Sequence, residues 1–201
     1  MKSELKYGNG KPIVYPTVER LPQNLGVLVI DMQPYFLDLI EQAKREEMIR
    51  AQLEVLGVCA RKDIPTFVLY VYHDRNRYGH TIPEINNMAL KIPRKKDIPK
   101  QERSGFERTN LNGYLTELNI ENLCLMGVNA SVCVRETAVD ALKYRKKIIS
   151  AEQLIADNER EIKDGGGPFN GISARTGIEF YAKNSLAFFK DYKDLVRLMN
   201  S

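Results

Sequence analysis

Short apolar runs that alternate with longer stretches of helical spacing restrict the fold of this chain more than any other feature. Five runs are predicted as strands, at 26–31, 65–71, 120–126, 147–151 and 185–189. Helical spacing predicts helices at about 35–61, 109–118, 131–145, 172–182 and 192–199. Strands that alternate with helices predict an α/β fold, with a parallel sheet covered on both faces.

Two segments depart from this alternation. Residues 1–24 are polar and contain three prolines, so we expect an N-terminal arm outside a domain that spans 25–201. Residues 73–108 lack strong periodicity and are predicted as a long loop. A segment of this length inside a compact domain is usually functional.

Composition excludes several classes of protein. The 201 residues carry 30 basic and 26 acidic side chains, a net charge of +4 that is small for a nucleic-acid binder. The three cysteines form no CxxC pair, which favours a reducing compartment. No signal peptide and no membrane span of about 20 apolar residues is visible. We therefore expect a cytoplasmic protein without nucleic-acid or membrane partners.

Cys133 is the first candidate for chemistry, because strand, turn and helix patterns meet there. A thiol in the first turn of a helix faces unsatisfied N–H groups and the positive end of the helix dipole, which favours the reactive thiolate. Ser131 is expected to cap this helix. The alternative is a small buried residue between helix and sheet, since free cysteine is often buried.

Asp31 and Lys100 are the other two candidates. Asp31 ends the first strand and would lie on the same edge of a parallel sheet as Cys133. It could act as a general base, or simply cap the next helix. Lys100 follows Pro93 and Pro99 in the long loop. It could stabilise both negative charges, or be one more surface lysine.

Three segments together resemble the isochorismatase-like cysteine hydrolase family, with an overall pattern that covers about 25–190. They are Val27 to Gln33 around Asp31; Lys100, then Ser104-Gly105-Phe106, Thr109 and Leu111; and Gly127 to Val134, followed by Thr137 and Ala138. The resemblance implies a three-layer α/β/α sandwich with a mainly parallel, Rossmann-like central sheet. It also implies a homo-oligomer, either a dimer or a tetramer.

The same resemblance implies a catalytic triad of Asp31, Lys100 and Cys133. It places a cis peptide bond between Val128 and Asn129, and an oxyanion hole at the N–H groups of Asn129 and Cys133. The function expected from it is cysteine-dependent hydrolysis of a C–N bond in a small amide or ureido-type substrate, through a thioester. Hydrolysis of a vinyl ether, and a non-catalytic binding or scaffold role, are the alternatives.

No metal and no other cofactor is predicted. Nicotinamidases of the family carry an Asp-x-His and a further His as a metal site, whereas this chain offers only His73, Asp74 and His80 there. That spacing lacks a three-ligand pattern and disfavours nicotinamidase activity.

Three aromatic residues are candidates for the walls of the substrate pocket: Phe36, Tyr72 and Phe106. Ordinary core packing is the alternative for each, since aromatic side chains dominate protein cores.

Overall fold

A seven-stranded parallel sheet organises the molecule. The computed structural model describes residues 13–72, 74–157 and 174–201. The strands are β1 (Leu25–Ile30), β2 (Thr66–Val71), β3 (Lys95–Lys100), β4 (Asn122–Val128), β5 (Lys147–Ala151), β6 (Ile155–Ala156) and β7 (Ala187–Phe189). Their order is β3-β2-β1-β4-β5-β7, and β6 pairs with the end of β4. The expected α/β fold is confirmed.

Helices cover both faces of this sheet. They are α1 (Pro34–Leu37), α2 (Gln42–Lys62), α3 (Arg75–Tyr78), α4 (Pro83–Ala89), α5 (Leu111–Glu117), α6 (Cys133–Lys143), α7 (Ala174–Asn184) and α8 (Tyr192–Asn200). Helix α2 packs against α4 and α8 on one face. The chain adds β2 and β3 on one side of β1, and then β4, β5 and β7 on its other side. Since crossovers between parallel strands are right-handed as a rule, this reversal predicts that α5, α6 and α7 cover the other face.

The core is centred on β1 and β4, which pair along their whole length from Leu25 beside Asn122 to Ile30 beside Gly127. Every residue of both strands is buried. Strands that are covered on both faces need apolar side chains throughout rather than alternation, which is why both runs were visible in the sequence.

Strand β3 and helix α4 correct the expectation of a long loop at 73–108. The β3 sequence, Lys-Lys-Asp-Ile-Pro-Lys, is too polar to be recognised as a strand. It pairs with β2 from Lys95 beside Thr66 to Lys100 beside Val71. An edge strand can be this polar, and can contain Pro99, because only part of its surface is buried.

The helix expected at 35–61 is also interrupted. Helix α1 ends at Leu37, and α2 begins only at Gln42. The carboxylate of Glu41 accepts hydrogen bonds from the N–H groups of Ala43 and Lys44, which caps α2. This cap explains the break, because Glu41 has to leave the helical conformation to make it.

In the described part of the N-terminal arm, 13–24, Tyr15 and Pro16 contact β7. The ring of Tyr15 stacks on that of Phe188, and the Phe188 N–H donates to the Pro16 carbonyl. These contacts agree with an arm that lies over the domain, and its boundary stays a prediction. None of the helices that the structure describes is long and apolar enough to cross a membrane.

Candidate active site

Asp31 follows β1 directly and has a left-handed backbone conformation, with φ of 54°. This conformation is uncommon for a residue with a side chain, but aspartate tolerates it better than most. The carboxylate does not cap α1, because the residue before that helix is Gln33 and no side chain caps it. The capping alternative for Asp31 is therefore wrong.

The side chain of Lys100 extends from the end of β3 into the protein and meets Asp31. Its Nζ lies 2.8 Å from Asp31 Oδ2, and both residues are at most 1% exposed. The ammonium also donates to the carbonyls of Glu102 and Arg103, at 3.1 and 3.4 Å. Lys100 is thus neither in a loop nor on the surface, and the surface-lysine alternative is wrong.

Burial and pairing act against each other on the two charges. Burial raises the pKa of Asp31 above its ordinary value, and the Lys100 ammonium opposes part of that rise. Burial alone would lower the pKa of Lys100, but the charges of Asp31 and Cys133 together raise it above its ordinary value. Lys100 therefore stays an ammonium ion, while Asp31 becomes more basic than an exposed aspartate.

Cys133 is the first residue of α6 and completes the group. Its side chain lies close enough to Asp31 and Lys100 to act on the pKa of each, and the residue is 9% exposed. The structure therefore brings together all three residues that the sequence singled out. They meet where β1 and β4 end, at the edge of the sheet where α/β proteins bind ligands.

A comparison with protein families gives this cluster its context. The model of the isochorismatase domain matches residues 26–161, more than half of the chain. The chain belongs to the isochorismatase-like hydrolase family. No curated protein matches the chain significantly.

Solved structures of several hydrolases share the fold. The nicotinamidase of Staphylococcus aureus has a TM-score of 0.66 and 20% identity, over 85% of this chain and 99% of that protein. The MAR1 ribonuclease of Caenorhabditis elegans has a TM-score of 0.69 and 19% identity, over 90% of this chain and 83% of that protein. The N-carbamoylsarcosine amidase of Thermoplasma acidophilum has a TM-score of 0.54 and 24% identity, over 66% of this chain and 83% of that protein. At these identities the likeness concerns the fold.

The connection between β4 and α6 contains the cis peptide bond expected from the family, between Val128 and Asn129. It is preceded by Gly127, whose φ is 133°. A Cβ at that position would lie 2.0 Å from the Ile30 carbonyl oxygen, so only glycine fits beside β1 there.

The residues between the cis bond and α6, 129–132, form what we call the 129–132 turn. Three amides of this turn donate within the protein: Ala130 to the Ala156 carbonyl, Ser131 to Asp157, and Val132 to the Asn129 carbonyl. The Val134 amide, in α6, donates to the same Asn129 carbonyl. Because these N–H groups already donate to acceptors within the protein, they stabilise the conformation of the turn. The oxyanion hole at Asn129 and Cys133 stays a prediction from the resemblance.

Ser131 corrects one expectation, since it does not cap α6. The residue before the helix is Val132, and no side chain caps the helix there. The Ser131 hydroxyl donates instead to Asp157 Oδ1, at 2.7 Å. The two charge-assisted bonds to Asp157 hold Ser131 outside the position from which its hydroxyl could accept an N–H of α6.

Two residues at this site were missed by the sequence reasoning. Asp157 follows β6, and the Tyr181 hydroxyl donates to the Ala130 carbonyl at 3.0 Å. A signal for Asp157 was present: an apolar run, Leu154 to Ala156, ends in aspartate just as β1 does before Asp31. For Tyr181 the sequence gives no comparable signal, because it indicates only that the residue lies in a predicted helix.

The three candidate wall residues occupy different places. Phe36 is buried and stacks on Tyr78, with ring centroids 5.4 Å apart. Tyr72 is 40% exposed and lines a cavity of about 360 Å³ that Lys100 also lines. Phe106 stacks on Tyr144, which follows the far end of α6. Eleven residues of helix span about 16 Å, so this placement favours the packing alternative for Phe106.

Among the described residues, no group of three or more His, Cys, Asp or Glu side chains could hold a metal ion. Asp74 and His80 belong to this described part, whereas His73 lies outside it.

Proposed function

We propose that the protein is a cysteine-dependent hydrolase that cleaves a C–N bond of a small amide or ureido-type substrate through a thioester. One observation carries the proposal: a carboxylate, an ammonium and a thiol, from Asp31, Lys100 and Cys133, are in buried contact where the central strands end. A nucleophile beside a base that a third group orients is the general signature of covalent catalysis.

The first half of the reaction acylates Cys133. Asp31 takes the thiol proton, and the sulfur attacks the substrate carbonyl to form a C–S bond. The N–H groups of Asn129 and Cys133 would stabilise the negative oxygen of the tetrahedral intermediate. The C–N bond then breaks, and the leaving nitrogen takes the proton held by Asp31. The product of this half is an amine or ammonia and a thioester on Cys133.

The second half hydrolyses the thioester. Asp31 takes a proton from water as the hydroxyl oxygen attacks the thioester carbonyl. The C–S bond breaks, the acid is released, and the proton returns from Asp31 to the sulfur. Lys100 remains an ammonium ion throughout and stabilises the carboxylate and the thiolate in turn. Its two backbone carbonyl partners support this role, because only the charged form can supply all these donors.

Amide chemistry is also supported by two of the structures that share the fold, a nicotinamidase and an N-carbamoylsarcosine amidase. Both are named for C–N hydrolysis. The nicotinamidase reaction itself is disfavoured here, because the Asp-x-His pattern of a family metal site is missing.

The experiment is a panel of small amides, ureido compounds and carbamoyl amino acids, with release of ammonia or amine as the readout. Turnover should vanish in Cys133→Ala and persist in Cys59→Ala, a matched control for another buried cysteine. Acid quenching during turnover should reveal an acyl group on Cys133 by peptide mass spectrometry. Full turnover by Cys133→Ala would refute the nucleophile.

Two other outcomes would identify the alternatives. Hydrolysis of isochorismate without turnover of any amide would indicate vinyl ether chemistry. A thiol at Cys133 that alkylating reagents ignore, together with no turnover on any substrate, would indicate a binding or scaffold protein.

A further inference from the structure

The 129–132 turn is held from outside by a second group of residues that the proposed chemistry does not use. The Ala130 N–H donates to the Ala156 carbonyl at 2.9 Å, and the Tyr181 hydroxyl donates to the Ala130 carbonyl. Ser131 donates twice to Asp157. The turn is therefore fixed on β6 and α7 as well as on its own strand.

Asp157 makes the strongest of these contacts. Its Oδ1 accepts from the Ser131 N–H and from the Ser131 hydroxyl, each at 2.7 Å. Asp157 is 4% exposed and Ser131 6% exposed, so water competes little for either bond. Two short charge-assisted bonds on one oxygen fix both the backbone and the side chain of Ser131.

Ser131 lies two residues before Cys133, and this short connection is the reason the contact matters for the sulfur. Rotation of the Ser131 peptide would move the start of α6, and with it the thiol and the amide of Cys133. Asp157 accepts from Ser131, whereas the carboxylate of the proposed triad, Asp31, pairs with Lys100, so the two carboxylates have different partners.

We propose that Asp157 is a positioning residue, which acts through Ser131 to hold Cys133 in reach of Asp31 and Lys100. The proposal rests on the proposed function for its catalytic consequence, but the geometry of the thiol can be measured without a substrate. Tyr181 supports the same turn from α7. Burial, with the charge of Asp157, raises the pKa of Tyr181 well above its ordinary value, so its hydroxyl stays protonated and donates.

The test compares Asp157→Ala, Asp157→Asn and Ser131→Ala by two readouts: the rate of iodoacetamide alkylation at Cys133, and kcat against KM. Asp157→Ala should lower kcat and the alkylation rate by about tenfold to a hundredfold, with KM nearly unchanged, because small misplacements of reacting groups are that costly. Asp157→Asn should retain much of both, since its amide oxygen can still accept from Ser131.

Ser131→Ala removes one of the two donors and should give a smaller loss of the same kind. In the double variant Asp157→Ala/Ser131→Ala, the loss should not exceed that of Asp157→Ala alone, because both act through one contact. If Asp157→Ala fails to fold, Ser131→Ala still decides the question, because it removes the hydroxyl donor of the same contact.

Ser150→Ala is the matched control. Its hydroxyl is also buried and donates to a backbone carbonyl, that of Leu125, at 2.7 Å, but it does not contact the turn. It should lower stability without changing kcat or alkylation. Unchanged alkylation and kcat in Asp157→Ala, or in Ser131→Ala if Asp157→Ala does not fold, would overturn the proposal. Slower alkylation in Asp157 variants of a protein that hydrolyses no substrate would keep the positioning role and refute the enzyme function.

Discussion

Replacing Lys100 by methionine should destabilise the protein strongly at neutral pH and abolish activity. Methionine keeps much of the apolar length of the side chain but removes the ammonium, so the Asp31 carboxylate loses its counter-ion 2.8 Å away. An uncompensated charge at a site with at most 1% exposure has no water to replace the lost partner.

The expected loss is about 3–5 kcal/mol, the usual cost of breaking a buried ion pair by removing one partner. The carbonyls of Glu102 and Arg103 also lose a donor, but both residues lie in a partly exposed segment, where water can replace it. The loss of these two hydrogen bonds should therefore add little to the total loss of stability. The loss is a large part of the total stability of a typical domain, about 5–15 kcal/mol.

Denaturant unfolding at several pH values measures this loss. Without Lys100, the pKa of Asp31 should rise further, because the ammonium is what opposes the effect of burial. The folded variant then binds a proton more tightly than the unfolded chain, so its deficit should be largest at neutral pH and shrink as the pH falls. Asp31→Asn in the same background should recover much of the stability by removing the charge.

Lys143→Met is the matched control, because Lys143 also forms a 2.8 Å ion pair, with Asp140, but its side chain is 70% exposed. That variant should lose at most about 1 kcal/mol. If Lys100→Met is no less stable than Lys143→Met, or if its deficit does not change with pH, the inference of a buried ion pair between Asp31 and Lys100 is refuted.

Three further predictions concern the same residues. Iodoacetamide should alkylate Cys133 first, because burial raises the pKa of Cys59 to about 12 and that of Cys124 further still; equal labelling in a peptide map would contradict this order. In a pH titration, kcat/KM should rise as Asp31 ionises, at a pH above the ordinary 3.8, and a profile that is flat from about pH 4 to 8 would contradict a base at Asp31. The pKa of Lys100 is raised above 10.5, so its stabilising contribution should be complete below that pH and lost as pH rises through the folded value; thermal melts should show this alkaline loss in the wild type and not in Lys100→Met.

The fold could be predicted where the hydrophobic effect alone determines the structure. Strands β1 and β4 lie at the centre of the sheet, so their sequences are apolar throughout and easy to recognise. Strand β3 escaped detection because its backbone pairing with β2, rather than its side chains, makes it a strand. Such pairing depends on a distant segment and leaves little local trace.

The site divides in the same way. Motifs single out Asp31, Lys100 and Cys133, yet they do not indicate the burial of Lys100, because the polar sequence of β3 predicts a loop. The link between Asp157 and Ser131 joins residues 26 positions apart and could not be inferred from spacing. The sequence therefore predicts a helix cap, the usual local role, for Ser131, whereas in the structure its hydroxyl bonds to the distant Asp157.

Because β3 lies at the edge of the sheet, Lys100 is held in place less firmly than Asp31 and Cys133. Asp31 follows β1 directly and Cys133 begins the helix after β4, and both of these strands have neighbours on both sides, whereas β3 pairs only with β2 among the described strands. Fraying at that edge would withdraw the cation while the rest of the molecule stayed intact. The proposed hydrolase activity should then be lost on gentle heating, at a temperature below that at which the helices unfold, and should return on cooling.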